Sequence, residues 1–213
     1  MSRIVIFGGT GYSGGNIARE AVRRGHEVVS YSRNTPATPD AGVEYRTGSL
    51  TDPAVVTAAA SDADVLVVAV HAVDPGREPL LQFVPALVEA AKAGNARLSF
   101  VGGAGSSLVA EGGPRLLDAP DFHPDWKPEA LAHAEVLEAL RSSEGLDWFY
   151  VSPAGLYGSF APGEDTGRYR TGGDVLVTKE DGSSEISGVD FARAYVDEIE
   201  QRNHVNRRFT VGH

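Results

Sequence analysis

The sequence predicts an α/β fold, a doubly wound parallel sheet with helices on both faces and a small C-terminal appendage on the substrate side. Three observations carry this. Short β-branched runs alternate with longer helical patterns, the rhythm of parallel strands joined by right-handed crossovers. Residues 64–70 are apolar without alternation, as in a strand buried on both faces. A glycine-rich stretch, residues 8–15, directly follows the first apolar run.

In order along the chain, residues 3–7 form a strand and residues 11–24 a helix, with Gly25 placed as a C-terminal glycine. Residues 27–31 are the second strand and residues 43–46 a short third. Residues 53–60 are a helix with Pro53 at its first position. Residues 64–70 are the fourth strand, 80–92 a helix and 96–101 the fifth strand. After a long loop, residues 129–141 are helical and 147–151 form the sixth strand. Residues 155–173 are rich in glycine and aromatics and lack a helical period. Residues 174–185 read as a hairpin turning at Glu180-Asp181-Gly182. Ser187-Gly-Val-Asp190 reads as the cap of a helix reaching Gln201, and residues 208–211 as a closing strand. Residues 1–213 are expected to be one domain, with residues 155–190 as the substrate-side appendage.

Composition narrows the chemistry. With 29 acidic against 19 basic residues the chain carries a formal charge of −10. Such a surface repels nucleic acid and anionic lipid, so neither is expected as a partner, and an anionic ligand needs a local site. The absence of cysteine removes disulfides, thiolate metal sites and cysteine nucleophiles. His26, His123, His204 and His213 show no metal-ligand spacing, and no bound metal is expected. The first apolar run is too short for a signal or membrane segment, which makes the cytoplasm the expected compartment.

The segment Gly8-Gly-Thr-Gly-Tyr-Ser-Gly-Gly15 lies between a strand and a helix. It reads as G-x-G-x-x-G through Gly9, Gly11 and Gly14, or as G-x-x-G-x-x-G through Gly8, Gly11 and Gly14. In either register the backbone can approach a pyrophosphate, and the helix start offers free N–H groups and a positive dipole end. The fold is thereby expected to be Rossmann-like and NAD(P)-binding. NAD sites place an acid after the second strand. Here that stretch is Ser30-Tyr-Ser-Arg-Asn34, without an acid. Arg33 can pair with a 2′-phosphate, helped by Ser32 and Asn34, so NADP(H) is expected in preference to NAD(H). An exposed arginine beyond a strand is the plainer alternative.

The opening turn, Arg33-Asn-Thr-Pro36, Gly48-Ser-Leu-Thr-Asp-Pro53 and Val101-Gly-Gly-Ala-Gly105 together resemble the atypical short-chain dehydrogenase/reductases. Pro128-Glu-Ala-Leu-Ala-His-Ala-Glu-Val-Leu137, Asp147-Trp-Phe-Tyr-Val-Ser-Pro153, Thr166-Gly-Arg-Tyr-Arg170 and Arg208-Phe-Thr-Val211 resemble the NADH-flavin reductase group. That group is related to biliverdin reductase B and the NmrA-like proteins, and the resemblance spans essentially the whole chain. It implies that Thr10, Gly11, Tyr12, Ser13 and Gly14 line the pyrophosphate. Leu50 and Asp52 would flank the adenine, while Asp52 also reads simply as a helix cap. Ala69, Val70 and His71 would pass the inner ribose. Gly102, Gly103 and Ala104 would approach the nicotinamide, and Ser152-Pro153 its carboxamide.

Short-chain dehydrogenases carry Tyr-x-x-x-Lys after the fifth strand; here Glu129 and His133 stand at the matching positions, four apart on one helix face. Alcohol–ketone chemistry is therefore not expected. His133 is the candidate catalytic residue, as a ribose contact in the lysine's place or a proton donor; a histidine on a helix surface or packed at the sheet edge is the alternative. Hydride transfer to a flavin needs proximity more than a tuned acid, so a reductase remains open without the pair. Ser106 lies where a substrate-contacting hydroxyl would sit. Trp126 in the long loop, with Tyr157, Phe160 and Tyr169 in the appendage, can stack on a planar ring, although core packing also explains aromatics.

The expected function is an NAD(P)H-dependent reductase of flavin or another planar acceptor, with flavin a substrate rather than a bound prosthetic group. The alternative is a non-catalytic NADP-binding redox sensor. The expected partner is a small-molecule electron acceptor. The helices at residues 80–92 and 129–141 suit a dimer bundle, and monomer and homodimer both stay open.

Overall fold

The core strands alternate which face they feed, and this fixes the architecture. Val5 and Phe7 of the first strand, β1 (Arg3–Phe7), join one hydrophobic cluster while Ile4 and Ile6 join the other. In β4 (Val65–Val68), Leu66 and Val68 face the first cluster and Val65 and Val67 the second. A strand apolar on both sides is stable only when helices cover both faces. The computed structural model describes residues 1–213 and shows that arrangement.

An eight-stranded sheet has the order β3-β2-β1-β4-β5-β6-β8-β7. Its other members are β2 (Glu27–Ser32), β3 (Val43–Thr47), β5 (Arg97–Val101), β6 (Trp148–Ser152), β7 (Arg170–Gly172) and β8 (Arg207–Gly212). All pairings are parallel except β7 with β8. On one face lie α2 (Pro53–Ser61), α3 (Val84–Gly94) and α4 (Lys127–Arg141), and on the other α1 (Tyr12–Arg23) and α5 (Gly188–Gln201). Strand order reverses between β1 and β4, so a crevice opens above their carboxyl ends.

Local signals explain most boundaries. After α1, Gly25 N–H bonds to Val22 O and His26 N–H to Ala21 O, a Schellman ending. Asp52 caps α2 by accepting from Ala54 N–H at 2.9 Å, with Pro53 in the first turn. Ser187 caps α5 by accepting from Asp190 N–H at 3.0 Å.

Three expectations are corrected. The helix at residues 80–92 is a 3-10 turn, Leu80–Phe83, followed by α3, because Pro85 cannot donate into a continuous helix. The hairpin at residues 174–185 does not form: the turn closes through Lys179 N–H to Ser183 O. Its arms, however, bridge elsewhere, Val175 to Leu108 and Glu185 to Leu156. The edge strand β7, which residues 155–173 gave no sign of, is built instead.

Candidate functional site

The turn after β1 is shaped for a phosphate. Gly8 has φ +91, and its carbonyl accepts from Gly11 N–H at 3.0 Å. A Cβ at Gly14 would stand 2.8 Å from the Gly8 carbonyl carbon, so helix and turn approach as only glycine permits. No side chain caps α1. The N–H groups of Tyr12, Ser13 and Gly14 have no partner and point out of the helix start. These donors fit a dinucleotide pyrophosphate.

A cleft of about 1020 Å³ runs from this turn across the strand ends. It gathers Gly8, Thr10 and Gly11 with Ser32, Arg33 and Asn34 at the end of β2, Leu50 before α2, and Ala69, Val70 and His71 after β4. At its outer end Arg33 is more than half exposed, with Nη1 3.8 Å from Asp74 Oδ2. Arg77 Nε lies 3.1 Å from the same carboxylate. No acidic residue stands among residues 33–39 directly after β2; Ser32 Oγ donates to Asn34 O at 2.7 Å and shapes the bend that presents Arg33. Ser49, Thr51, Asp74, Arg77 and Phe83 also line the cleft, and sequence reasoning did not single them out. Ser49 and Thr51 flank Leu50 in the stretch of residues 48–53, and the signal for Asp74 and Arg77 was the Pro- and Gly-containing segment after β4, long enough to fold over a strand end.

At the inner end Glu129 organises the loop after β4. Its Oε1 accepts from Ala72 N–H at 2.9 Å and its Oε2 from Val73 N–H at 2.8 Å. Oε1 also lies 3.2 Å from His71 Nδ1 and 3.2 Å from His133 Nε2. Burial alone would raise the Glu129 pKa. The bonds from His133, His71 and the Ala72 amide outweigh it and hold the carboxyl well below its ordinary range. Bonding to Glu129 raises the His71 pKa above its ordinary value against a smaller opposing burial effect, with Asp74 adding a weaker pull.

Several expected contacts are corrected. His133 is buried, with Nε2 on Glu129 and Nδ1 3.4 Å from the Tyr150 hydroxyl. Both ring nitrogens are turned to protein, so it supports Glu129 rather than reaching ribose or substrate. Tyr157 donates to Ser13 Oγ at 2.8 Å and packs on Phe191 at 4.7 Å, between α1 and α5 rather than over the cleft. In that bond the Ser13 hydroxyl accepts, which leaves its own hydrogen free to donate. The Tyr12 hydroxyl is turned away, donating to Pro162 O and accepting from Gly188 N–H. Tyr169 donates to Asp197, which pairs with Arg24 at the far end of α1. The Ser106 Oγ is buried without a partner and does not face solvent. Asp52 caps α2 through Oδ1, as its place before Pro53 implied, a role compatible with an adenine contact, and it is absent from the cleft lining.

Gly102 and Gly103 follow β5 and pack against Tyr150 and His133; Ala104 is half-buried and Pro153 buried. Trp126 and Phe160 remain exposed, and they stack on each other with centroids 6.2 Å apart at 27°. His123 and Phe122 flank Trp126 at 5.2 and 6.4 Å. The start of α4 and the segment after β6 thus meet in one aromatic surface. No helix is long and apolar enough to cross a membrane.

Comparison with known proteins agrees with this geometry. A Bacillus subtilis protein of unknown role, YwnB, is 35% identical over 214 residues, covering 98% of this chain and 97% of that protein. A Burkholderia pseudomallei structure described as a candidate exported protein is 40% identical, with TM-score 0.86 and 100% of both chains covered. A Streptococcus pneumoniae structure named as a candidate NADH-flavin reductase is 31% identical, with TM-score 0.85, covering 100% of this chain and 99% of that one. The family model described as NAD(P)H-binding matches residues 8–202, the glycine turn included. The chain belongs to that NAD(P)H-binding family.

Proposed function

We propose that the protein is an NADP(H)-dependent reductase of planar, conjugated electron acceptors such as flavins and quinones. The observation that carries the reading is the uncapped start of α1 opening into a cleft whose outer end bears Arg33, with no acid among residues 33–39 at the end of β2. The free N–H groups of residues 12–14 would hold the pyrophosphate, and Arg33 with Asn34 the 2′-phosphate. Ala69 and Val70 would border the inner ribose. Bound there, a reduced nicotinamide supplies a hydride.

What the protein adds is placement. The loop after β4, fixed by Glu129, walls one side of the inner cleft. Trp126 and Phe160 offer the acceptor an exposed aromatic face. Hydride acceptance at a conjugated ring depends mainly on distance and orientation, which suits a site without the Tyr and Lys pair. The Streptococcus relative, named as a candidate NADH-flavin reductase, supports the same class of chemistry.

The test uses the chain's 2 tryptophans, of which Trp148 is buried and Trp126 exposed. Calorimetric titration is expected to give tighter binding of NADPH than of NADH. Riboflavin added to the NADP⁺-loaded protein is expected to quench Trp126 fluorescence. Equal cofactor affinities together with no quenching would contradict the proposal.

A further inference from the structure

His71 combines two properties that rarely coincide on one side chain. It lines the cleft with its side chain 86% exposed, yet its ring is fixed, with Nδ1 3.2 Å from Glu129 Oε1. An ionised carboxylate only accepts, so Nδ1 carries the hydrogen of that bond. Nε2 makes no hydrogen bond, on a side chain that is largely exposed and lines the cleft. The same carboxylate holds the backbone on which His71 sits, through Ala72 and Val73. Glu129 itself stands where short-chain dehydrogenases keep their proton-donating tyrosine. It is held ionised and has no proton to give.

We propose that His71, oriented by Glu129, is the proton donor to the acceptor, and that the acceptors served best are quinones and related conjugated dicarbonyls. The inference rests on the reductase reading above. A quinone that gains a hydride on one oxygen aromatises, and its second oxygen becomes a basic phenolate. His71 Nε2 passes its proton to that phenolate, the new O–H bond replaces the N–H bond, and the neutral imidazole regains a proton from water. The net change is two electrons and one hydrogen from the reduced nicotinamide and one proton from solvent, giving a hydroquinone. A reduced flavin is stable as an anion and gains less from such a donor.

The charged groups facing His71 are Glu129 from α4, with His133 behind it, and Asp74 from its own loop. Both carboxylates favour the imidazolium, so the donor form persists above the pH at which an ordinary histidine loses it.

Two measurements test this. Proton–nitrogen NMR titration of cofactor-free protein should show His71 titrating above an ordinary histidine and falling back in Glu129→Gln. NADPH-dependent turnover of a benzoquinone across pH should show an alkaline loss of activity that His71→Gln removes. That variant should also lower quinone kcat by about 100-fold, the lower range for a general acid, and lower riboflavin turnover by less. An ordinary His71 titration unmoved by Glu129→Gln, or a wild-type quinone pH profile in His71→Gln, overturns the assignment. Wild-type protein that binds NADPH and turns over no acceptor overturns the reductase reading and this inference together, a result separate from an unchanged profile.

Discussion

Arg33 Nη1 and Asp74 Oδ2 face each other at 3.8 Å across the outer end of the cleft, and Arg77 holds the same carboxylate from the other side. The arginine is thus oriented but only loosely paired, with both side chains largely exposed. A 2′-phosphate there would compete with Asp74 for one guanidinium. Arg33→Ala is expected to weaken NADPH binding by about 1.5–3 kcal/mol, the value of a hydrogen bond to a charged group, and to leave NADH nearly unchanged. Calorimetry with both cofactors checks this, and equal losses would remove the phosphate from Arg33.

Asp74→Asn should act in the opposite direction. Removing the carboxylate frees Arg33 and removes a like charge near the phosphate, so NADPH binds more tightly and NADH hardly changes. The gain should shrink as salt rises, because the groups are exposed and screened. A gain equal for both cofactors would mean that Asp74 acts on loop closure instead.

The glycine turn predicts a coupled loss. In Gly14→Ala the added methyl meets the Gly8 carbonyl, so the turn must shift. Destabilisation of about 1–3 kcal/mol is expected from overpacking, accompanied by loss of binding for both cofactors. Urea denaturation and calorimetry read the two effects. Normal binding in this variant would show that the phosphates lie elsewhere.

Asp190 supplies a pH signature of the fold. Its carboxylate is fully buried at the start of α5. Burial alone would raise its pKa. The amide and hydroxyl of Thr166, with His213 and Arg193, outweigh it and bring the pKa from 3.8 down to about 2. A depressed carboxylate contributes stability that is complete above its unfolded pKa and is lost as pH falls through the folded one. Wild type should therefore exceed Asp190→Asn by about 2 kcal/mol more at pH 5 than at pH 2. A constant difference across that window would contradict the assignment.

Trp126→Ala should raise KM for planar acceptors while leaving NADPH affinity near wild type, because Trp126 stacks on Phe160 and lies outside the cofactor cleft. Steady-state kinetics at saturating NADPH separate the two. A parallel loss of NADPH affinity would place the aromatic surface on the cofactor instead.

Much of the framework was legible because the signals are local. The both-face apolar runs of β1 and β4 marked buried parallel strands, and Pro53 and Gly25 marked helix ends within a residue or two. β7 was not legible: three residues at the sheet edge carry no alternation, and their partner β8 lies some forty residues on. The aromatics divided for a reason that sequence does not carry. Tyr157 and Tyr169 sit where α1 and α5 supply polar partners for their hydroxyls, and Trp126 and Phe160 sit where nothing covers them. Glu129 and His133 were visible as a pair on one helix face. What the carboxylate holds, the backbone of Ala72 and Val73, lies 57 and 56 residues away in sequence and appears only when β4 and α4 are brought together.

The measurement that tests the central claim most directly is NADPH oxidation, followed by nicotinamide absorbance, with FMN, riboflavin or a benzoquinone added to protein that binds NADPH. Acceptor-dependent turnover well above the uncatalysed rate is the predicted result. Tight NADPH binding with no turnover of any acceptor would contradict it and leave a cofactor-binding protein whose output is not chemistry.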